Sequence, residues 1–245
     1  MSKVFCWNIR GLNSLSRQRF VSSWIRKNKP ILGSLLETHV VEENASQILQ
    51  ATFPSWRGSM NYDFAENGRI WVVWDPAISV VCLYKSPQVM LCGVFNPATK
   101  ESFSVAFVYA FNTLIQRRLL WEDISTIVQN SPARSRPLML LGDYNQILSA
   151  SEHYSVIPHA LPITGMAEFM DCLVANELFD MPSRGAFYTW SNGRAEDPIA
   201  RKLDRALVNE FWNDAFPESL AVFDPPGGIL ITLLVWCPLL QPFKG

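Results

Sequence analysis

The five cysteines, Cys6, Cys82, Cys92, Cys172 and Cys237, include no Cys-x-x-Cys pair. Their odd number and irregular spacing exclude a zinc ribbon or a disulfide framework as the organising device. Several lie in apolar runs, where free thiols are usually buried. A reducing, intracellular compartment is therefore expected, with nucleus and cytoplasm both open, and no secretory leader is visible before the first strand-like segment. A charge excess is missing too. The formal net charge is −1, so no global basic field advertises a nucleic-acid partner. That weighs only weakly against one, because an acidic catalytic cluster can cancel a basic rim. The apolar run from Ile229 to Trp236 is far shorter than the ~20 residues a membrane span needs, so no membrane partner is expected. No repeat, low-complexity tract or linker interrupts the 245 residues, which suit one large domain.

Hydrophobic residues are plentiful at 49%, enough for a sizeable core, and helical and strand-like patterns alternate. Val4 to Trp7 reads as a buried strand followed by the polar loop Asn8 to Asn13. Phe20, Val21, Trp24 and Ile25 recur at helical spacing, and Lys29-Pro30 stops that helix. Ile31 to Leu36 is a second apolar strand, ending in Glu37-Thr38-His39. A short helix and further strands follow, among them Ile70–Trp74, Val80–Tyr84, Met90–Phe95 and Phe103–Tyr109. Leu120, Ile124, Ile127 and Val128 mark the next helix. Leu138 to Leu141 then forms the central strand, which Gly142 ends with a sharp turn before Asp143 and Asn145. After a Pro/His-rich loop, Met166, Phe169, Met170 and Leu173 mark a third helix. Phe187–Trp190 and Lys202–Val208 read as late strands. Arg and Lys gather locally, as at Arg117 and Arg118 or Arg194, Arg201, Lys202 and Arg205, and solvated helix faces account for most such groups.

One pattern recurs. A buried strand ends, and the next residues are Asn8, Glu37, Tyr109 with Asn112, Asp143 with Asn145, and finally Asp204. Polar groups at strand ends along one edge of a layered fold converge on a pocket. Carboxylates and amide oxygens, with little sulfur or imidazole, suit a hard cation such as Mg²⁺ rather than zinc. Metal-assisted chemistry on a phosphate follows: the cation offsets charge on the phosphoryl oxygens, and an Asp can take a proton from water. Read singly, each residue has a plainer role: Asn8 a loop cap, Glu37 a surface acid, Asp204 the partner of Arg201 or Arg205. Trp7, Trp71, Trp74 and Trp190 read as core.

These motifs, in this order, resemble the endonuclease/exonuclease/phosphatase superfamily with its DNase I-like fold. The residues that carry the likeness are Trp7-Asn8 with Arg10-Gly11, Glu37-Thr38-His39, Tyr109-Ala110-Phe111-Asn112, Gly142-Asp143-Tyr144-Asn145, Tyr188-Thr189-Trp190 and Leu203-Asp204-Arg205. Asn67 to Trp71, Arg117 to Trp121 and Ile199 to Arg205 further resemble the endonuclease domain of plant LINE-type retrotransposons. The resemblance implies an α/β fold, a four-layered sandwich of two mixed β-sheets face to face with helices outside. It implies a Mg²⁺- or Mn²⁺-dependent phosphodiesterase acting on DNA, with a reverse-transcriptase domain expected in a full-length element. Glu37 would be the principal metal ligand, with Asn8 beside it. Asp143 would align or deprotonate water, Asn145 hold the nucleophile and a phosphate oxygen, and Tyr109 donate to the scissile phosphate. Arg10, Asn112 and Arg118 would meet DNA, and Asp204 would orient a catalytic histidine. A phosphatase of the same superfamily and an inactive retroelement remnant are the alternatives; the LINE-like segments favour DNA.

That histidine is missing. The family closes its site with Ser-Asp-His after a Pro-Pro-Gly stretch, whereas Pro225-Pro226-Gly227 here precedes an apolar run without Asp or His. His39 is the family's neighbour of the Glu, and His153 and His159 match no motif and read as surface residues. The run Ile229 to Trp236 can be encoded ATT CTG ATC ACT CTC CTT GTT TGG. Read from the third base, this gives Ser-Asp-His-Ser-Pro-Cys-Leu. The chain therefore divides into an endonuclease-like domain, 1–228, and an aberrant apolar tail, 229–245. Sequencing the gene across this point decides whether a frameshift produced the tail.

Overall fold

The computed structural model describes residues 2–65, 67–130, 132–157, 161, 163–224 and 232–237. The first half runs β1 (Ser2–Asn8), α1 (Leu15–Asn28), β2 (Leu32–Leu36), α2 (Glu42–Thr52), β3 (Arg57–Met60), β4 (Ile70–Trp74), β5 (Ser79–Lys85), β6 (Val89–Asn96), β7 (Glu101–Tyr109) and α3 (Leu114–Asn130). The second half runs β8 (Leu138–Asp143), β9 (His153–Ser155), α4 (Ile163–Ala175), β10 (Phe179–Asp180), β11 (Ser183–Gly185), β12 (Trp190–Ser191), β13 (Ile199–Arg201), β14 (Asp204–Val208), α5 (Glu210–Ala215), β15 (Leu220–Phe223) and β16 (Thr232–Cys237). Among the described residues, no helix is long and apolar enough to cross a membrane.

The strands form two mixed sheets, ordered β11-β15-β16-β1-β2-β4-β3 and β10-β14-β8-β7-β6-β5, plus a small sheet β12-β13-β9. Alternation along each central strand sends side chains to two different cores. Val4, Cys6, Leu36 and Val72 of the first sheet meet Met90, Val105, Phe107, Met139 and Leu141 of the second in the layer between them. Their neighbours Phe5, Trp7, Leu35 and Trp71 face outward and are covered by Val21 and Ile25 of α1 and Ala45 and Leu49 of α2. On the far side Ala106, Val108, Leu138 and Leu140 pack under Leu120, Trp121 and Ile124 of α3 and Phe169 and Leu173 of α4. The result is the four-layered α/β sandwich. Strands covered on both faces read as continuous apolar runs for this reason.

The apolar run near the C-terminus contributes β16. It pairs antiparallel with β1, Trp7 opposite Thr232 and Ser2 opposite Cys237, and on its other side with β15. The motif Pro225-Pro226-Gly227, the residues 229–231 and 238–245 of the tail, and His159 lie outside the described residues.

Two late strands differ from the sequence pattern. Of the Phe187–Trp190 run only Trp190 is strand, continuing into Ser191, and β14 begins at Asp204 rather than Lys202. The reason is Thr189, whose hydroxyl accepts the backbone N–H groups of both Leu203 and Asp204 at 2.9 Å. A side chain thus takes the place of a ladder bond where the two segments meet. The Pro/His-rich loop also contains β9, which the polar composition concealed.

Gly142 sits inside β8 at φ +150°, and a Cβ there would lie 1.9 Å from the Val108 carbonyl oxygen. This close approach lets Ala110 N–H reach the Asp143 carbonyl at 2.8 Å and so delivers Asp143 to the sheet edge. Gly142→Ala is expected to lower stability by about 2–4 kcal/mol. The check is urea denaturation; a loss below about 1 kcal/mol would mean that the β7–β8 pair yields easily here.

Candidate active site

Topology explains why the strand-end polar groups meet. β1 and β2 run parallel, Asn8 beside Leu36, so Asn8 and Glu37 emerge at the same end. β7 and β8 are also parallel, Tyr109 beside Asp143, while antiparallel β14 begins with Asp204 opposite Asp143. The ladder between the first two strands continues into their loops: Gly11 N–H donates to the Glu37 carbonyl and Leu12 N–H to the Thr38 carbonyl. Glu37 itself adopts φ +54°, as Arg10, His39 and Asn145 adopt φ between +47° and +52°. A left-handed conformation is costly for a non-glycine residue and persists where neighbours fix it. Here Glu37 N–H is held by the Arg69 carbonyl at 3.0 Å, and Thr38 Oγ1 donates to the Gly68 carbonyl at 2.8 Å.

The side chains form one network. Asn8 Nδ2 donates to Glu37 Oε1 at 2.9 Å and to Asp143 Oδ2 at 3.4 Å. Tyr109 donates its hydroxyl to the same Glu37 oxygen at 2.5 Å. Asn145 N–H donates to Asp143 Oδ1 at 2.9 Å, and its side-chain Nδ2 to the Ala110 carbonyl at 2.7 Å. With its amide NH₂ turned to the two carboxylates, Asn8 Oδ1 is buried and accepts no hydrogen bond among the described residues. A buried acceptor left without a donor costs on the order of 1–3 kcal/mol, which a cation at this point would relieve. Among the described residues no cluster of three or more His, Cys, Asp and Glu side chains surrounds a metal-sized space. The available donors are one carboxylate and one carboxamide oxygen, a set suited to a hard cation that keeps most of its waters.

The cleft encloses about 340 Å³ and is lined by Asn8, Arg10, Glu37, Asn112, Asp143, Asn145, Trp190, Arg201 and Leu203. Burial pushes the Asp143 carboxyl up to about 6, with the Glu37 charge adding to the effect and the Asn145 N–H, the Asn8 amide and Arg10 opposing it. Asp204 is raised well above the carboxylate range by burial and by the charge of Asp143, against a hydrogen bond with Thr189. Burial and the bond to Glu37 raise Tyr109, so its phenol remains a donor at neutral pH.

Arg118 lies elsewhere. Its guanidinium is engaged by Glu168 of α4, with Nη2 at 2.6 Å from Oε1 and Nε at 3.0 Å, and it does not line the cleft. Its neighbour Arg117 is buried and donates to the Phe111 and Asn112 carbonyls and to Gln146 Oε1. It ties the loop after β7 to the loop after β8. Helical phase carries the signal for this, since Arg117, Leu120, Ile124 and Ile127 share one face. Arg205 is likewise no partner of Asp204; it is buried between Glu152 and Asp180. Trp7 and Trp71 are core, but Trp190 is half-buried and lines the cleft. His153 is not free on the surface: its Nδ1 accepts from Arg201 Nε at 3.1 Å.

A search of curated proteins returns no match. Among solved structures, the endonuclease domain of TRAS1, a telomere-specific non-LTR retrotransposon, superposes with a TM-score of 0.70 at 13% identity, covering 98% of this chain and 100% of that one. The AP endonuclease of Leishmania major gives 0.68 at 13% identity, over 98% of this chain and 88% of that one. The Bacteroides thetaiotaomicron mannosyl-6-phosphatase Bt3783 gives 0.62 at 10% identity, over 96% and 99%. At such identities the likeness is one of fold, and the fold is DNase I-like. The sequence profile of the Endonuclease/Exonuclease/phosphatase family matches residues 5–231, nearly the whole length, and the chain belongs to that family.

Proposed function

We propose that the chain is a Mg²⁺-dependent endonuclease domain of retrotransposon type, able to hydrolyse DNA phosphodiester bonds but impaired by the loss of its terminal Asp-His. The observation that carries this reading is the unpartnered, buried Asn8 Oδ1 beside Glu37, in a cleft that also holds Asp143 and Asn145. Mn²⁺ suits the same donors. Glu37 and Asn8 would hold the cation, whose chemistry is to offset the charge that builds on the phosphoryl oxygens. Asp143, oriented by the Asn145 N–H, takes the proton of the attacking water. Asn145 Nδ2, which gives one hydrogen to the Ala110 carbonyl, would give its second to a phosphate oxygen. Tyr109, whose hydroxyl donates to Glu37, would be free to donate to the substrate where Glu37 serves as the cation's ligand. Arg10 and Asn112 at the rim meet the DNA backbone. The LINE-like segments and the TRAS1 likeness favour DNA over the phosphatase alternative.

Glu37→Gln should weaken calorimetric Mg²⁺ affinity roughly tenfold or more, since it removes the one full charge offered to the ion. Unchanged affinity would put the cation elsewhere. Plasmid nicking with Mg²⁺ tests the reaction itself, and nicking that survives Asp143→Ala would reject this assignment of the site.

A further inference from the structure

The row across the small sheet is not explained by the chemistry above. Trp190 pairs with Arg201 across β12 and β13, and Arg201 pairs with His153 across β13 and β9. Residues directly opposite in neighbouring strands project from the same face. An indole, a guanidinium and an imidazole therefore stand side by side, while the next row, Ser191, Ala200 and Tyr154, faces the other way. Trp190 and Arg201 line the cleft that holds Glu37 and Asp143.

We propose that Arg201 is a phosphate-binding residue of this cleft and that His153 is the positioning residue that aims it. The inference rests on the cleft taking a nucleic-acid strand, as above. Arg201 donates its Nε–H to His153 Nδ1 at 3.1 Å, and its guanidinium carbon lies 5.8 Å from the Trp190 ring centre. His153 Nε2 is 3.2 Å from Ser155 Oγ. With Nδ1 accepting, the ring proton sits on Nε2 and is donated to that hydroxyl, so both nitrogens of a neutral imidazole are used. Among the described residues no acceptor takes either terminal amino group of Arg201 once it is anchored through Nε, and these present the parallel N–H pair that matches two phosphate oxygens.

The nearby cations are differently placed. Arg118 is taken by Glu168, Arg205 by Glu152 and Asp180, and Lys202 by the same two acids. Among the described residues no carboxylate lies within ion-pair distance of Arg201. A neutral anchor fixes the guanidinium without cancelling its charge. Leu203, two residues further along, lines the same cleft just before Asp204. The ligand is a phosphodiester group flanking the one opposite Asp143, with Trp190 beside it to cover the sugar or base.

The test is binding of the full chain to a fluorescent duplex oligonucleotide in EDTA, read by anisotropy across a salt series. Arg201→Gln should weaken binding about tenfold or more and lower the slope of log affinity against log salt by about one phosphate's worth. Arg57→Gln, on the far edge strand, should change neither. His153→Ala should lose part of the affinity, and His153→Asn should restore it, because its amide oxygen can take the place of Nδ1 as acceptor. A merely structural histidine would lose urea stability in both variants and show no such rescue. Unchanged affinity and slope in Arg201→Gln, or no salt-dependent binding by the parent chain, would overturn the proposal. Because EDTA removes any cation, a failure of Mg²⁺-dependent nicking with this binding pattern intact would reject only the catalytic reading.

Discussion

Restoring Ser-Asp-His-Ser-Pro after Gly227 should raise Mg²⁺-dependent plasmid nicking at least ~10³-fold over the chain as it stands. β16 enters the sheet with Thr232 beside Trp7, one residue short of Asn8 on the neighbouring strand. A histidine placed immediately ahead of that strand is delivered to the Asn8 end of β1, where the cleft opens. A donor aimed at a phosphate as its negative charge develops contributes ~10²–10³ in rate, and an acid–base or positioning partner adds ~10²–10⁴. Asp204 strengthens the argument. It stands at the start of β14 opposite Asp143, and its carboxyl is raised by burial and by that neighbour's charge. Without an imidazole, any charge it takes on falls in an already acidic cleft that is proposed to receive a phosphate. With one, it holds the ring and shares a positive charge when the ring is protonated. The unrepaired chain keeps its β16 pairing, so the comparison is between two folded proteins. Equal nicking by both chains, lost from each on Asp143→Ala, would rule out the idea that the missing histidine limits the reaction.

Much of this site was legible because strand ends carry their own punctuation. Asn8, Glu37, Tyr109 and Asp143 each follow a buried run, and the parallel pairs β1–β2 and β7–β8 turn that shared position in the sequence into a shared place in space. The fold was legible for a related reason. A sheet covered on both faces gives apolar runs, while its covering helices give 3.6-residue stripes. What stayed hidden depended on register or on phase. Nothing local to His153 says that it will face Arg201, 48 residues later, because β9 and β13 are three-residue strands whose pairing is fixed only in the assembled sheet. Arg117 and Arg118 look alike in a basic pair. One rotation step of 100° sends the first into the protein against Gln146 and the second out to Glu168. Trp190 reads as core by residue type, yet it is half-buried and lines the cleft because it lies on β12 of the small third sheet rather than inside either main sheet.

Asp143→Asn should abolish most activity and yet stabilise the domain. In the repaired chain the loss of the proposed general base should cost ~10²–10⁴ in nicking rate. The stability change follows from the environment of the same carboxyl. Burial raises Asp143 to about 6, and the Glu37 charge adds to that, against an unfolded value near 3.9. Between those values the folded state binds the proton more strongly than the unfolded state does. The contribution to stability is therefore greatest below about pH 4 and is lost as pH rises through 6. At pH 8, without a divalent cation, an ionised Asp143 should hold the fold about 3 kcal/mol below its protonated counterpart. Asp204 is raised as well and acts in the same direction. An asparagine keeps an oxygen for the Asn145 N–H and carries no charge. The variant should therefore be more stable than the parent in EDTA at pH 8, and its pH dependence between 4.5 and 7 should be flatter. Mg²⁺ should narrow the difference by compensating the parent's carboxylates. Urea titrations of parent and variant at three pH values, with and without Mg²⁺, read all of these effects. A variant no more stable than the parent at pH 8 would show that the cleft solvates Asp143 well enough to leave its charge at no disadvantage, and the carboxylates would then need no cation to balance them.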